Sequence, residues 1–386
     1  MGALQWPGGG SVKMEKSVYL SRRAAAWGKA RASTPVDALL VSRSADVGYL
    51  SGFTGEDSLL LMNKGFACLI TDGRFAEQAA RECPGLEVIV RSGPMSAAVA
   101  EAARRRKVRR LGVQGGHMTL SGQAALVEAL GRNRRVVTVG EALLELRAVK
   151  DAQEVAAIRR AVRIAERAFR GLIAGGARAL VGRTERQIAA ELDYRMIQAG
   201  ADSPAFDTIV AAGPHSSMPH YRPGNTRVRS GQAVLFDWGA WSGGYSSDLT
   251  RVAFTGRIPP KLTEIYELVR SAQAAGIAAV RAGVSVRMVD LAARKVIERA
   301  GLGERFVHSL GHGIGRGRGS AEVHELPAVS RQAKGRLRAG MVVTIEPGVY
   351  LPGVGGIRIE DDVLVTAERA ERLSSLPSVA SAWILR

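Results

Sequence analysis

Between about residues 17 and 142 the apolar positions fall into short continuous runs separated by stretches of helical spacing. DALLVSR, LEVIV, RRLGVQG and RRVVTVG read as strands. SVYLSRRAAAWGKARAS, FAEQAARECPG, MSAAVAEAARRRK and SGQAALVEALGR read as helices, the last with Ser121 as N-cap. VGYLSGFTGEDSLLLMN and GFACLITDGRF read as strand, turn and strand, with Gly65 in the turn. This alternation predicts an α/β unit. It contains no nucleophile elbow or phosphate loop, and GVQGGHMTLSG lacks the strand, GxGxxG and helix order of a dinucleotide site. The unit is expected to be a scaffold or lid, with His117 structural.

The period changes near residue 151. Val155, Ile158, Val162, Ala165, Phe169 and Leu172 fall on one face of a long amphipathic helix. A second helix opens with Thr184 and Gln187 in capping-box spacing and ends at Gly200, and strand-rich sequence follows. KLTEIYELVRSAQAAGIAAVRAG and SVRMVDLAARKVIERAG repeat the helix pair, again followed by strands. The recurrence suggests an internal duplication with a site at the seam. The expected division is a flexible tail at 1–13, an α/β domain at 14–146 and a second domain at 147–386.

A chain of 386 residues, 46% hydrophobic, is long enough for two cores. No apolar run reaches the roughly 18 residues of a membrane span. The start, MGALQWPGGGSVKMEK, lacks the apolar core of a secretory signal, and Met14 is an alternative initiator. Two cysteines, Cys68 and Cys83, are too few for a disulfide framework, which points to a reducing, cytoplasmic setting. The net charge of +18 raises nucleic-acid binding as a function. No aromatic-interleaved basic motif or helix-turn-helix pattern accompanies it. RRRKVRR at 104–110 reads as a helix end entering a strand, so dispersed arginine is the preferred reading.

The chemistry lies in four carboxylates arranged as two pairs. Asp237 and Asp248 lie in VLFDWGAWSGGYSSDLTRVAF, an apolar run, a Trp/Ser/Gly-rich break and an alternating run, which is the pattern of an antiparallel hairpin. A turn centred between Ser242 and Gly243 sets the two aspartates directly opposite, with Cβ atoms roughly 4.5–5.5 Å apart. Glu346 and Glu360 repeat the arrangement about Gly353 in VVTIEPGVYLPGVGGIRIEDD. Like charges facing each other across a ladder are destabilising, so two such pairs in one cleft make sense around a cation. Either pair alone reads better as solvated strand residues. His312 shifts the balance: it stands in HSLGHGIG, whose glycines leave the backbone free to turn and let a large ligand approach. Four carboxylates and one imidazole can hold two divalent ions, with manganese favoured by the hard oxygen donors and cobalt or zinc as alternatives. Such a pair activates water and polarises a carbonyl, the equipment for amide hydrolysis.

In order along the chain, FDWGA…SSDLTR, LGHGIG, TIEPGVY and GIRIEDD, behind a separate α/β domain, resemble the aminopeptidase P and prolidase branch of the pita-bread metallopeptidases, family M24. The resemblance spans nearly the whole chain from Met14. It implies a creatinase-like α/β N-terminal domain and an α+β pita-bread catalytic domain with pseudo-two-fold duplication. It implies that Asp237 chelates one metal ion, Asp248 and Glu360 bridge two, and His312 and Glu346 bind the other. It places His220 of SMPHY near the scissile peptide and His324 of EVHELP where it steadies the transition state. It makes His308, four residues before His312, a cleft histidine of the proline-specific branch. Tyr350 and Arg358 are placed beside the dinuclear site, where Arg358 would hold a carboxylate or pair with the substrate's C-terminus. His215 is read as structural. The implied activity is a proline-specific exopeptidase cutting the Xaa-Pro bond in peptides or dipeptides, as a homodimer. Creatinase relatives lack the full ligand set and methionine aminopeptidases lack the N-terminal domain, so both are disfavoured, as is a non-catalytic module using its basic surface.

One departure from the family pattern is RGRGSAE between Gly315 and Val323, which looks like an insertion of about five residues, Arg316–Ser320, with Arg316 and Arg318 at the cleft rim. If these arginines attract peptide carboxylates, replacing both with alanine is expected to raise KM with little loss in kcat. An unchanged KM would count against that role.

Overall fold

The computed structural model describes residues 16–320 and 322–386, so the expected tail at 1–13 lies outside the described residues. The chain divides into two compact units, one ending at Leu146 and one running from Arg147 to Arg386.

The first unit is built on a six-stranded sheet. Its strands are β1 (Ala38–Val41), β2 (Leu59–Met62), β3 (Ala67–Asp72), β4 (Glu87–Arg91), β5 (Arg110–Gln114) and β6 (Arg135–Val139), in the order β4-β3-β2-β1-β5-β6. The β1–β5, β5–β6 and β3–β4 pairs are parallel, while β2 runs antiparallel to both neighbours. Both faces of the inner strands are buried, which is why they read as continuous apolar runs. Leu39, Val41, Leu60, Met62 and Leu69 join one core, and Ala38, Leu40, Leu61, Cys68 and Ile70 join the other. Helices Lys16–Ser33 and Ser44–Ser51 cover the first face, Met95–Arg105 and Leu120–Leu130 the second.

Two expectations fail here for identifiable reasons. The segment containing VGYLS is a helix, Ser44–Ser51, and not a strand. Six of its eight residues are buried, so it has no polar stripe from which a helical period could be read. The N-cap of Leu120–Leu130 is Thr119, whose hydroxyl accepts from Gly122 N at 3.0 Å, and not Ser121. The basic block at 104–110 does join a helix end to a strand. Arg105 and Arg106 pair with Glu101 and Glu87, and Arg104 and Arg110 donate to the Ala129 and Pro35 carbonyls.

The second unit contains the same succession of elements twice. Helices Ala152–Ile173 and Glu185–Gln198 precede β7 (Ser203–Pro204), β8 (Ile209–Ala212), β9 (Ala233–Trp238), β10 (Ala240–Ser242), β11 (Tyr245–Ser246) and β12 (Leu249–Thr255). Helices Pro260–Ala279 and Val286–Arg299 precede β13 (Gly311–Gly313), β14 (Glu325–Val329), β15 (Val342–Ile345), β16 (Gly348–Leu351), β17 (Gly355–Arg358), β18 (Asp361–Val365) and β19 (Ala370–Arg372). The final strand, β20 (Ile384–Leu385), closes the first of two larger sheets, β20-β12-β9-β8. The second is β14-β13-β15-β18-β19.

Both helices of the first pair start at capping boxes, Asp151 with Glu154 and Thr184 with Gln187. The apolar face of Ala152–Ile173 lies on β9. Phe169 stacks on Trp238 with ring centroids 4.3 Å apart, and Trp238 Nε1 donates to the Ala165 carbonyl at 3.0 Å. These contacts fix the strand that ends in the Asp237 segment. Among the described residues no helix is long and apolar enough to cross a membrane. Phe169→Ala is expected to destabilise the chain by about 3–5 kcal/mol, measured as a fall in the urea unfolding midpoint.

Candidate metal centre

The first hairpin turns at Gly243 and Gly244, whose φ values of +60° and +84° are both left-handed. Two such central residues make a two-residue type I′ turn, the form that matches strand twist. The centre of the hairpin therefore falls one residue later than the sequence suggested, and Asp237 faces Thr250 rather than Asp248. The displacement across the ladder is two residues, and an even shift leaves both aspartates on one face. In the second hairpin the pairs Ile345–Asp361 and Gly348–Arg358 share one register. Glu346 and Glu360 consequently stand opposite each other at the break between the two short ladders. An isolated bridge between Thr250 and Glu360 joins the hairpins.

At this junction Asp248, His312 and Glu360 each offer a ligand atom, all within 4.8 Å of one another. His312 Nε2 lies 3.6 Å from both Asp248 Oδ2 and Glu346 Oε1. The ring's Nδ1 is 2.9 Å from the Gly313 carbonyl, which can only accept, so Nδ1 carries the proton and Nε2 presents its lone pair to the carboxylates. The glycines beside His312 serve a different purpose from the one read in the sequence. A Cβ on Gly311 would lie 2.0 Å from the Thr344 carbonyl oxygen and one on Gly313 2.1 Å from that of Leu326. They allow neighbouring strand backbones to close on His312's strand.

Burial raises the proton affinity of every carboxylate in the group. Asp248 is pushed well up by burial and then by Glu360, Asp237 and Glu346, and Glu360 by burial and then by Glu346 and Asp237. Glu346 is pushed up to about 8, chiefly by burial. Burial and then His324 push His312 down to about 3. Asp237 bonds Arg358 through Oδ2, while its Oδ1 is buried without a hydrogen-bond partner. Crowded oxygen donors, one imidazole lone pair and an unpartnered carboxylate oxygen suit divalent cations.

The five remaining sequence candidates lie around this group. Arg358 Nη1 donates to Tyr350 Oη at 2.8 Å and Nη2 to Asp237. His308 Nδ1 donates to the Ser309 carbonyl at 2.8 Å, so Nε2 must accept from Tyr350 Oη, also at 2.8 Å. Both ring nitrogens of His308 are thus committed, and burial pushes its pKa down to about 3. His324 lies against His312 with ring centroids 3.9 Å apart and the planes tilted by 36°. His220 is exposed and lies close enough to Asp237, His308 and His324 to influence each of them electrostatically. His215, read as structural, bonds the buried Glu185 at 2.8 Å and stacks on Tyr221. In the departing segment, the Arg316 guanidinium lies 5.5 Å from the Tyr245 ring centroid and that of Arg318 5.0 Å from Trp241, against the β10–β11 hairpin.

Four further residues, none of them a sequence candidate, contact these groups. Thr344 Oγ1 accepts from His312 N at 3.0 Å and donates to Glu346 Oε1 at 3.2 Å. Asp362 accepts from Asp248 N at 3.1 Å, and Thr250 donates to Glu360 at 2.6 Å. Each stands two residues from a carboxylate, a spacing that shares a strand face and could have flagged it. Glu325, beside His324, is buried with Arg147 and Lys150 and accepts from Arg316 N at 2.7 Å. Its neighbouring cations are too distant in sequence to reveal this role.

Residues 22–149 match the Creatinase/Prolidase N-terminal domain and residues 156–367 match Metallopeptidase family M24. The chain is 36% identical over 342 residues to the uncharacterized peptidase YqhT of Bacillus subtilis (strain 168), covering 89% of this chain and 94% of that protein. It superposes on the Xaa-Pro dipeptidase from Bacillus anthracis with TM-score 0.85 and 34% identity, covering 93% of this chain and 97% of that one. The prolidase from Pyrococcus furiosus gives TM-score 0.79 and 32% identity, with coverage of 90% and 98%. The chain belongs to metallopeptidase family M24. Its architecture is the expected one, a creatinase-type N-terminal domain followed by a pita-bread catalytic domain.

The crowding has a measurable signature in metal-free protein. Glu346 holds its proton to about pH 8 when folded but only to about 4.5 when unfolded, so it lowers stability as pH rises between those values. His308 and His312, lowered from 6.5 to about 3, act in the opposite sense but only below 6.5. Chelator-stripped protein should therefore melt at a lower temperature at pH 8 than at pH 6.5, and added divalent ion should remove most of the difference. A melting temperature that climbs over this interval without metal would contradict the arrangement.

Proposed function

We propose that the chain is a dinuclear metal-dependent exopeptidase that hydrolyses the Xaa-Pro bond at the N-terminus of peptides or in dipeptides. The observation that carries this reading is the convergence of Asp248, His312 and Glu360 to within 4.8 Å, with Glu346 and Asp237 beside them, in a chain of family M24. Residues 14–146 form the N-terminal domain of this proposal and 147–386 the catalytic domain. Proline specificity is supported by the Bacillus anthracis Xaa-Pro dipeptidase and the Pyrococcus furiosus prolidase. A reducing cytoplasmic setting accords with Cys68 and Cys83, both buried and unpaired. The family resemblance supports a homodimer.

In this reading Asp237, Asp248, His312, Glu346 and Glu360 hold two divalent ions, manganese first and cobalt or zinc as alternatives. Ions so held supply a nucleophile from water at neutral pH and polarise the scissile carbonyl. Arg358 keeps Asp237 oriented. Tyr350 and His308 form a fixed neutral pair beside it, because both nitrogens of His308 are engaged. His220 and His324 have no hydrogen-bond partner among the described residues, so they are the imidazoles available to donate N–H to the developing oxyanion or a proton to the leaving amine.

With added manganese, a panel of Xaa-Pro, Xaa-Pro-Yaa and Met-Ala-Ser should show cleavage of proline substrates and not of Met-Ala-Ser. Chelation and Glu360→Gln should each abolish turnover. Full activity after chelation, or preference for Met-Ala-Ser, would overturn the assignment.

A further inference from the structure

Thr250 is fully buried at the point where the two carboxylate hairpins meet. It faces Asp237 in the first hairpin, and its carbonyl accepts from Glu360 N of the second at 3.2 Å. Its hydroxyl has two partners: Arg358 Nε at 3.1 Å and Glu360 Oε2 at 2.6 Å. The direction of both bonds is set by chemistry. A guanidinium can only donate, so the hydroxyl oxygen accepts from Arg358 and its proton points at Glu360 Oε2. Arg358, fixed at Nε, spends its other nitrogens on Tyr350 and Asp237. One hydroxyl is therefore bonded directly to Glu360 on the second hairpin and, through a single guanidinium, to Asp237 on its own.

The other half of the duplication makes a matching contact. Asp362 follows Glu360 by two residues, as Thr250 follows Asp248, and it accepts from Asp248 N. Each half thus supports the carboxylate segment of the other. A buried hydroxyl costs free energy unless it is bonded, and valine would fill the same space. Shape alone therefore does not explain threonine at this position.

On the reading that Asp237, Asp248, His312, Glu346 and Glu360 hold the ions, we infer that Thr250 is a positioning residue, whose hydroxyl sets the rotamers of Glu360 and Arg358 before metal arrives and thereby fixes metal affinity. Groups that orient ligands in this way typically change affinity by about 10- to 100-fold when removed.

The test compares wild type, T250V and T250S as full chains, stripped with chelator and titrated calorimetrically with Mn²⁺, with folding checked by circular dichroism. T250V should bind at least one ion on the order of 10-fold more weakly, recover much of its kcat at saturating Mn²⁺ and keep its KM for Xaa-Pro. T250S, which restores the hydroxyl, should recover the affinity. Wild-type affinity in T250V, or a T250S as weak as T250V, overturns the inference. If T250V does not fold, T250A takes its place in the same comparison. A wild-type chain that binds no Mn²⁺ would bring down the metal reading itself, whereas normal binding by both wild type and T250V removes only the role given to Thr250.

Discussion

Electrostatic crowding is the constraint around which the catalytic unit is built. Asp237, Asp248, Glu346 and Glu360 are gathered with one imidazole where burial raises the proton affinity of each carboxylate. Two like charges 4 Å apart repel by about 4 kcal/mol at an effective dielectric of 20, against a total stability of about 5–15 kcal/mol for a typical domain. A cluster of this kind cannot be an idle by-product of folding. It must take up protons or cations, and the scaffold has to be stiff enough to keep its members from swinging apart.

The stiffness comes from placing every donor on a sheet or at the break between two ladders, with packed helices behind. Phe169 against Trp238 holds the strand that carries Asp237, and strand backbones closed upon Gly311 and Gly313 hold His312. Duplication supplies two such platforms. The site arises where they meet, so neither half contains it alone.

Much of this was legible because helices advertise themselves. The face of Ala152–Ile173 and the Thr184–Gln187 capping box follow from local spacing, and the second hairpin is symmetric about Gly353. The reading failed where the deciding fact was not local. Ser44–Ser51 is buried on nearly all sides and so lacks the polar stripe that marks a helix. The first hairpin departs from its expected register because Gly243 and Gly244 share the turn, which moves its centre one residue along the chain. The two-residue spacing sets Thr250, Thr344 and Asp362 on the face of a neighbouring carboxylate, but the partners they bond across the sheet, Glu360, His312 and Asp248, are evident only when strands distant in sequence are laid side by side.

The turn at Gly243–Gly244 gives the hairpin something like a reading frame of two. Lengthening or shortening the loop by a pair of residues slides one aspartate along the face it already occupies, so both carboxylates still point to the same side. A change of one residue would send Asp248 through the sheet to the opposite side. Loop-length drift at this hairpin should therefore accumulate in even steps during descent, a parity rule imposed by the pleat.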